Sequence, residues 1–280
     1  MADQPLGAEE VRRALAEDRA DDDRTTRLLG ETIRQPARGC FIAEERCVVA
    51  GLAIAERVFR ELAPEARLVV HVPEGAWAEP GAVLGEVTAT AGALLAGERV
   101  ALNFLQHLSG IATSTRRAVE AVAGTGAQIT HTRKTLPGLR ALQRYAVLVG
   151  GGVGNRGSLA DTVYWKDNHW ALLDRSGRTL AEVLAEADRS EVWVEVETDA
   201  QVREALDAGA TQLLVDNQPP ERVAEWARRA GPAVRVQASG GITADTAAAY
   251  ARAGADLISM GALTHSVRGA AVRFDVLTSS

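Results

Sequence analysis

A strand followed by an alanine-rich amphipathic helix recurs through the second half of the chain and constrains the fold more than any other feature. The strand-like segments are AQITHT, DTVYWK, EVWVEVE, TQLLVDN, VRVQAS and DLISMG. Such units predict a parallel sheet, because a crossover helix must return the chain before the next strand can run in the same direction. Their number and length favour an α/β barrel over an open sheet.

The N-terminal part of the chain follows a different pattern. Residues 8–18 have helical periodicity, residues 38–52 contain a β-prone run, and residues 67–95 alternate short strands with Pro-Gly turns. A long helical pattern then covers residues 97–123. The sequence therefore predicts a small sheet domain in front of the barrel.

The overall charge limits the possible partners. The chain has 280 residues, a formal net charge of −6 and a pI of about 5.5. Nucleic-acid-binding domains usually carry a strongly basic face, so this balance argues against such a surface.

Charged residues interrupt the apolar stretches before they reach the length of a membrane span. The N-terminus lacks the apolar core of a signal peptide. We expect a cytoplasmic protein that binds neither nucleic acid nor membrane.

Against this acidic background, basic residues concentrate between Thr132 and His169, around the triple glycine at 150–152. They are Arg133, Lys134, Arg140, Arg144, Arg156 and Lys166. Arg133, Lys134 and Lys166 follow β-prone runs, and ligands of α/β barrels bind at the strand ends. Arginine can hold a carboxylate or phosphate through two N–H donors, whereas lysine supplies a movable point charge. The pattern predicts a pocket for a small, strongly anionic substrate.

Carboxylates occupy two further strand ends. Glu195 lies within a strongly apolar strand, and Asp216 ends the next strand. Buried carboxylates are rarely left without a partner, so both are candidates for holding ribose hydroxyls, water or hydrated Mg²⁺. We interpret Glu197 as structural.

Glycine-bearing turns follow the last two strands. They comprise Ser239, Gly240 and Gly241 in one turn and Met260, Gly261 and Ala262 in the other. Their backbone N–H groups could bind a phosphate, as the loops after the final strands of barrels often do. On the long helix, we interpret an isolated Arg99 as a surface residue and His107 as a packing residue.

Several motifs together resemble the quinolinate phosphoribosyltransferase family. They are ERVALNFLQHLSGIAT, TRKTLPGLRALQRYAV, GGG, WKDNH, VEVE, LLVDN, SGGIT and GALTHSV, in the family order and spacing. The resemblance implies an N-terminal open-faced α+β sandwich at residues 1–110, an α/β barrel at 111–270, and a tail at 271–280 that returns to the N-terminal domain. It also implies a homodimer, in which each subunit completes the other's site, with hexamers as a further assembly.

The reaction implied by the resemblance joins quinolinate to 5-phosphoribosyl 1-diphosphate with Mg²⁺. The products are nicotinate mononucleotide for NAD biosynthesis, diphosphate and CO₂. By position, Arg99 looks like the arginine donated across the dimer. Arg133, Lys134, Arg156 and Lys166 match residues that hold the pyridine carboxylates and the diphosphate. By position, the substrate-binding set also includes Thr132 and Asn155. Catalytic roles fall on Lys134, Lys166, Glu195 and Asp216, the two carboxylates binding the metal directly or through water. The turns at 239–241 and 260–262 match the 5′-phosphate loops.

One segment departs from the family pattern. Where the family usually reads Asn-His-Arg, this chain has Gly154, Asn155 and Arg156. In the family, the imidazole of the histidine would face the substrate carboxylates. Here a neutral amide replaces it, and an amide can donate a hydrogen bond but cannot carry a charge. Two alternatives follow: a phosphoribosyltransferase of the same fold that uses a different pyridine or aromatic acid in a specialised pathway, or a non-catalytic relative that binds phosphorylated ligands or serves a metal-transport operon.

Overall fold

The computed structural model describes residues 6–277, apart from the side chain at position 174. Its helices are α1 (Ala8–Asp18), α2 (Leu52–Leu62), α3 (Ala91–Ala121), α4 (Arg140–Val149), α5 (Asp167–Ser176), α6 (Leu180–Leu184), α7 (Asp199–Asp207), α8 (Pro220–Ala230), α9 (Ala244–Arg252) and α10 (Ala262–His265). Its strands are β1 (Pro36–Ala43), β2 (Cys47–Val48), β3 (Arg67–Val70), β4 (Trp77–Ala78), β5 (Val83–Thr90), β6 (Gln128–Thr130), β7 (Val163–Trp165), β8 (Val192–Val196), β9 (Gln212–Asp216), β10 (Arg235–Ser239), β11 (Leu257–Ser259) and β12 (Val272–Leu277).

These elements form two compact units. Within the described residues, unit 1 comprises 6–116, 135–151 and 266–277, and unit 2 comprises 117–134 and 152–265. Strands and helices predicted from the sequence are found in both units, including α1 and all six barrel strands. The long helix α3 begins at Ala91, earlier than the pattern indicated.

Unit 1 contains an antiparallel sheet with strand order β12-β1-β5-β3. The last strand of the chain pairs with β1, so the C-terminal segment is part of this unit. An aromatic cluster fills its core: the ring centroids of Phe41 and Phe274 lie 4.8 Å apart, and those of Phe59 and Phe274 lie 5.6 Å apart. A Cβ at Gly39 would approach Phe274 to 2.2 Å, so this ring requires glycine on the neighbouring strand.

Unit 2 contains a six-stranded parallel sheet with the order β6-β11-β10-β9-β8-β7. Its first strand pairs with its last, and the remaining strands follow in chain order, which is the order of an α/β barrel with one seam between β6 and β7. The predicted fold class is therefore confirmed. At the seam, Val153 forms an isolated parallel bridge with Thr130.

A layer of inward-facing side chains fills the barrel of unit 2. Tyr164, Trp193, Leu214 and Leu257 form this buried cluster, one from each of four strands. Successive side chains of a strand alternate between its two faces, so the residue two positions further along also points inward. Those next residues are Lys166, Glu195, Asp216 and Ser259. Packing of the apolar layer thus places polar groups at the carboxyl ends of the strands.

Residues 6–277 include no helix that combines the length and the hydrophobicity needed to span a bilayer.

Candidate active site

A cavity of about 430 Å³ lies at the carboxyl ends of the barrel strands in unit 2. The residues that line it are Thr132, Arg133, Lys134, Asn155, Arg156, Tyr164, Lys166, Asp167, Glu195, Leu214, Asp216, Gln237, Ser239 and Ser259. Side chains predicted from separate motifs therefore meet in one cavity. Cations come from the β6 and β7 side, and carboxylates come from β8 and β9.

Both lysines of the chain line this cavity. Of its 31 lysine and arginine residues, only Lys134 and Lys166 are lysines. The backbone of Lys134 is fixed on both sides, because its N–H donates to Thr132 Oγ1 at 3.1 Å and its carbonyl accepts from Thr264 Oγ1 at 2.7 Å. The side chain of Lys134 therefore extends from a rigid loop.

Lys166 forms an ion pair with Glu195. The Glu195 side chain is only 5% exposed, and its Oε1 also accepts the backbone N–H of Asp167 at 3.2 Å. Trp170 Nε1 donates to the Glu195 carbonyl at 2.8 Å, which ties the start of α5 to β8. A buried carboxylate without its cation would be strongly destabilising, so the pair fixes the position of both groups.

Glu197 joins Glu195 and Asp216 in a carboxylate cluster, with candidate ligand oxygens that all lie within 4.8 Å of one another. Partial burial raises the pKa of Glu197, and the negative charges of Asp216 and Glu195 raise it further. The interpretation of Glu197 as purely structural misses this proximity. The signal was available, since Glu195 and Glu197 are two residues apart and share a strand face.

The two arginines of the cavity repel one another electrostatically. The pKa of Arg156 is lowered, first by desolvation and then by the positive charge of Arg133. The Arg156 guanidinium lies 4.2 Å from the centroid of the Tyr164 ring and donates to the Thr162 carbonyl at 3.3 Å. Because a bound anion would relieve this repulsion, the arrangement favours a negatively charged ligand.

Asn155 lines the cavity, but its amide is engaged by the protein. Its Nδ2 donates to the His131 carbonyl at 3.1 Å, and its Oδ1 accepts from the Arg156 N–H at 2.7 Å and from the Tyr164 hydroxyl at 2.8 Å. The buried His131 imidazole accepts the Asn155 N–H through Nε2 at 3.2 Å. Sequence alone does not reveal this pairing, because His131 and Asn155 are 24 positions apart and meet only in the folded chain.

The glycine turns differ in what they can offer a phosphate. Gly240 and Gly241 have φ values of 95° and 59°, and a Cβ at Gly240 would approach Asn217 Oδ1 to 2.2 Å. Met260 is buried, and its N–H already donates to the Thr130 carbonyl at 3.0 Å. The Met260 N–H is therefore not available to a phosphate. The remaining candidate phosphate contacts are Ser239, Gly240, Gly241, Gly261 and Ala262.

Three other basic residues singled out from the sequence belong to unit 1. Arg140 and Arg144 lie on α4 and do not line the cavity, which corrects their inclusion in one basic pocket. Arg99 lines a separate groove with acidic residues that include Asp18 and Asp22. His107 Nε2 contacts Gln143 Nε2 at 2.9 Å, and burial lowers the pKa of the imidazole, as expected for a neutral packing residue.

Two family models match the chain in succession. Residues 23–109 match the N-terminal domain of quinolinate phosphoribosyl transferase, and residues 111–274 match its C-terminal domain. Together the two matches account for most of the sequence.

Named relatives are similar over nearly the full length. The nicotinate-nucleotide pyrophosphorylase [carboxylating] of Mycobacterium leprae is 41% identical over 267 residues, covering 92% of this chain and 93% of the relative. A probable enzyme of the same name from Bacillus subtilis is 39% identical, covering 86% and 83%. The crystal structure of NadC from Streptococcus pyogenes superposes with a TM-score of 0.88 at 32% identity, covering 99% and 100%.

The carboxylate cluster predicts a pH-dependent stability change for Glu197→Gln. At pH 7 the ionised Glu197 is repelled by Asp216 and Glu195, so the variant should melt at a higher temperature than the metal-free wild type. The pKa of Glu197 is higher in the folded protein than in the unfolded chain. The loss of folding stability caused by its charge therefore develops as pH rises from the unfolded-state pKa to the folded-state pKa. Below that window both proteins carry a neutral side chain and their melting temperatures should converge.

The measurement is the melting temperature against pH in chelator-treated protein. Glu204→Gln, at an exposed position on α7, is the matched control and should show no such pH-dependent gain. A Glu197→Gln protein that is less stable than wild type at pH 7 would contradict the prediction.

Proposed function

Because this chain belongs to the quinolinate phosphoribosyl transferase family, we propose that it transfers phosphoribosyl from 5-phosphoribosyl 1-diphosphate to quinolinate. Decarboxylation then gives nicotinate mononucleotide, with diphosphate and CO₂ as the other products. The observation that carries the proposal is one cavity in which two lysines and two arginines face a carboxylate cluster. A dianionic acid and a diphosphate require cations, whereas a sugar that becomes cationic requires carboxylates.

The acid binds on the cationic side of the cavity. We assign its two carboxylates to Arg133 and Arg156, with Lys134 as a further charge. An arginine fork can donate two parallel hydrogen bonds to one carboxylate, which fixes the ring orientation as well as its position. Thr132 contributes by holding the Lys134 backbone.

Transfer breaks the bond between the anomeric carbon and diphosphate and forms a bond to the pyridine nitrogen. Positive charge develops on the sugar, while negative charge develops on the leaving diphosphate. The positive charge on the sugar is stabilised by the carboxylates of Glu195, Glu197 and Asp216. The negative charge on the diphosphate is stabilised by Lys166 and Lys134. The Lys166–Glu195 ion pair supports these roles, because it prepositions one charge of each kind on neighbouring strands.

Glu195, Glu197 and Asp216 also suit a hydrated Mg²⁺, which prefers carboxylate oxygens and retains water. When bound, the ion would neutralise part of the diphosphate charge. The same cluster carries mutual repulsion in its absence, as the raised pKa of Glu197 indicates. We therefore extend the metal assignment from Glu195 and Asp216 to Glu197.

Decarboxylation needs no nucleophilic side chain. After ribosylation, the ring nitrogen carries a positive charge. That charge stabilises the electron pair that stays on the adjacent ring carbon when the bond to the carboxylate breaks and CO₂ leaves. A proton from solvent then replaces the carboxylate.

The 5′-phosphate is assigned to the turns at Ser239–Gly241 and Gly261–Ala262, where the positive φ of Gly240 and Gly241 supports a close backbone approach.

The proposal includes a homodimer, with hexamers as a larger assembly, and a cytoplasmic location. Arg99 belongs to unit 1, whereas the cavity belongs to unit 2. In the proposed dimer, Arg99 of one subunit completes the cavity of the other.

The activity is tested by incubating the purified protein with Mg²⁺, 5-phosphoribosyl 1-diphosphate and a panel of pyridine carboxylic acids. Among the acids of the panel, only quinolinate should give nicotinate mononucleotide, which mass spectrometry detects together with an equal amount of diphosphate. Conversion of a different acid, with no turnover of quinolinate, would overturn the assigned acceptor. Nucleotide formed without loss of CO₂ would overturn the decarboxylation step.

The lysine content allows a selective chemical test of the diphosphate site. An amine-reactive reagent can modify only Lys134, Lys166 and the N-terminal amine. Mg²⁺ with diphosphate should slow modification of both lysines at least tenfold, because the ligand covers them, while the N-terminal amine reacts at an unchanged rate. Peptide mapping measures each rate, and Lys134→Arg and Lys166→Arg identify the two labelled peptides. Unchanged lysine reactivity would remove these residues from the diphosphate site.

Hybrid dimers test the assignment of Arg99. Arg99→Ala and Lys134→Ala should each abolish most activity as homodimers. Mixed after subunit exchange, they should regain up to a quarter of wild-type activity, because half of the dimers are hybrids and one of the two sites in each hybrid carries neither lesion. A mixture of Lys134→Ala with Lys166→Ala is the control and should stay inactive, since both changes affect the same unit. No recovery with Arg99→Ala would contradict a shared site.

A further inference from the structure

The loop that carries Arg156 is fixed on both sides of this residue. On one side, Asn155 contacts His131, Tyr164 and the Arg156 N–H. On the other side, the Asp161 carboxylate accepts the N–H groups of Gly157 at 2.7 Å and Ser158 at 3.2 Å. Arg156 is thus the cavity-lining cation between two side-chain anchors.

The contacts of Asn155 determine the orientation of its amide. Its nitrogen must face the His131 carbonyl, and its oxygen must face the Arg156 N–H, because neither partner can reverse its role. The Tyr164 hydroxyl lies 2.8 Å from that same oxygen and therefore supplies the proton between them. The same hydroxyl also lies 3.1 Å from Gln237 Oε1, so its single proton faces two acceptors, of which Asn155 Oδ1 is the nearer.

The result is a hydrogen-bond network behind Arg156. The Tyr164 hydroxyl contacts the side-chain oxygens of Asn155 and Gln237, and His131 receives both the side-chain and the backbone N–H of Asn155. Tyr164 also places its ring 4.2 Å from the Arg156 guanidinium. Asn155 and Tyr164 consequently contact Arg156 at its two ends, one at the backbone and one at the charged group.

We propose that Asn155 is a positioning residue that acts through Arg156 and does not itself bind the substrate. This inference rests on the proposed function and deepens it. In this chain, the side-chain amide at position 155 organises the loop. The His131 carbonyl holds that amide, and the His131 imidazole holds the backbone N–H of the same residue. Recognition of the acid's carboxylates then depends on the preset position of the Arg156 guanidinium.

A double-mutant cycle distinguishes positioning from direct contact. Binding of benzene-1,2-dicarboxylate, which carries two adjacent carboxylates but no ring nitrogen to be ribosylated, is measured by calorimetry without 5-phosphoribosyl 1-diphosphate. Asn155→Ala should weaken binding about tenfold, and Arg156→Ala should weaken it more. If Asn155 acts through Arg156, the double variant should bind as Arg156→Ala does. Multiplied losses in the double variant would overturn the inference.

Tyr164→Phe provides a second test with smaller structural risk, because it keeps the ring under Arg156 and removes only the hydroxyl. It should raise the KM for quinolinate severalfold while the KM for 5-phosphoribosyl 1-diphosphate and kcat change little. Tyr250→Phe is the matched control, since the Tyr250 hydroxyl donates to the Gln218 carbonyl at 3.1 Å, and it should change neither KM. Equal effects of Tyr164→Phe on both KM values would indicate a general structural role and overturn the inference.

Failure of the proposed function would give a different result. Wild-type protein that neither binds the dicarboxylate nor converts quinolinate would refute the proposed function and, with it, this role of Asn155. Wild-type protein that does both, combined with independent losses in the double-mutant cycle, would refute the positioning role alone.

Discussion

The alternation of side chains along the barrel strands is the constraint on which the site depends. Tyr164, Trp193, Leu214 and Leu257 pack in one buried layer, and this packing fixes the register of their strands. A shift of one residue would turn Lys166, Glu195 and Asp216 towards the outside of the barrel and expose the apolar layer within it. Stability and the placement of reactive groups therefore cannot be separated here: the hydrophobic effect that selects the register also selects which charges meet in the cavity.

Charge within the cavity is arranged so that only part of it is neutralised by the protein. Lys166 and Glu195 form an ion pair. The positive charge of Arg133 disfavours the charged form of Arg156. The negative charges of Asp216 and Glu195 disfavour the charged form of Glu197. Like charges held together cost folding free energy, and packing elsewhere must offset that cost. A ligand with negative charge on one side and developing positive charge on the other relieves both repulsions. The unfavourable electrostatics of the free protein thus favour ligands of that charge distribution.

Much of the fold follows from local sequence, whereas the missing parts of the site depend on contacts between distant segments. Lys166, Glu195 and Asp216 could be identified because each lies at or near the end of an apolar strand. Barrel topology makes the carboxyl ends of such strands converge. The role of Asn155 could not be read in this way, since its partners lie on β7 and in the loop after β6. Met260 illustrates the opposite error: a glycine-containing turn suggested available N–H groups, but the hydrogen bond from Met260 to Thr130 belongs to the sheet. Arg140 and Arg144 were grouped with the cavity because they are close to its residues in sequence. Both lie on α4, however, and this helix belongs to unit 1.

The use of lysine at only two positions reflects the chemistry of the cavity. The chain uses arginine for all but two of its 31 basic positions of these types, so arginine satisfies its ordinary needs for surface charge and ion pairs. Lysine occurs at 134 and 166, where both side chains line the cavity. An arginine at 166 would present a planar fork to Glu195 and would hold that carboxylate in a bidentate geometry. The ammonium group is compact and can donate in several directions, so it can remain near Glu195 while also contacting a second anion. A site in which a diphosphate arrives and then departs requires this adaptable contact, and a rigid fork would bind one geometry at the expense of the next.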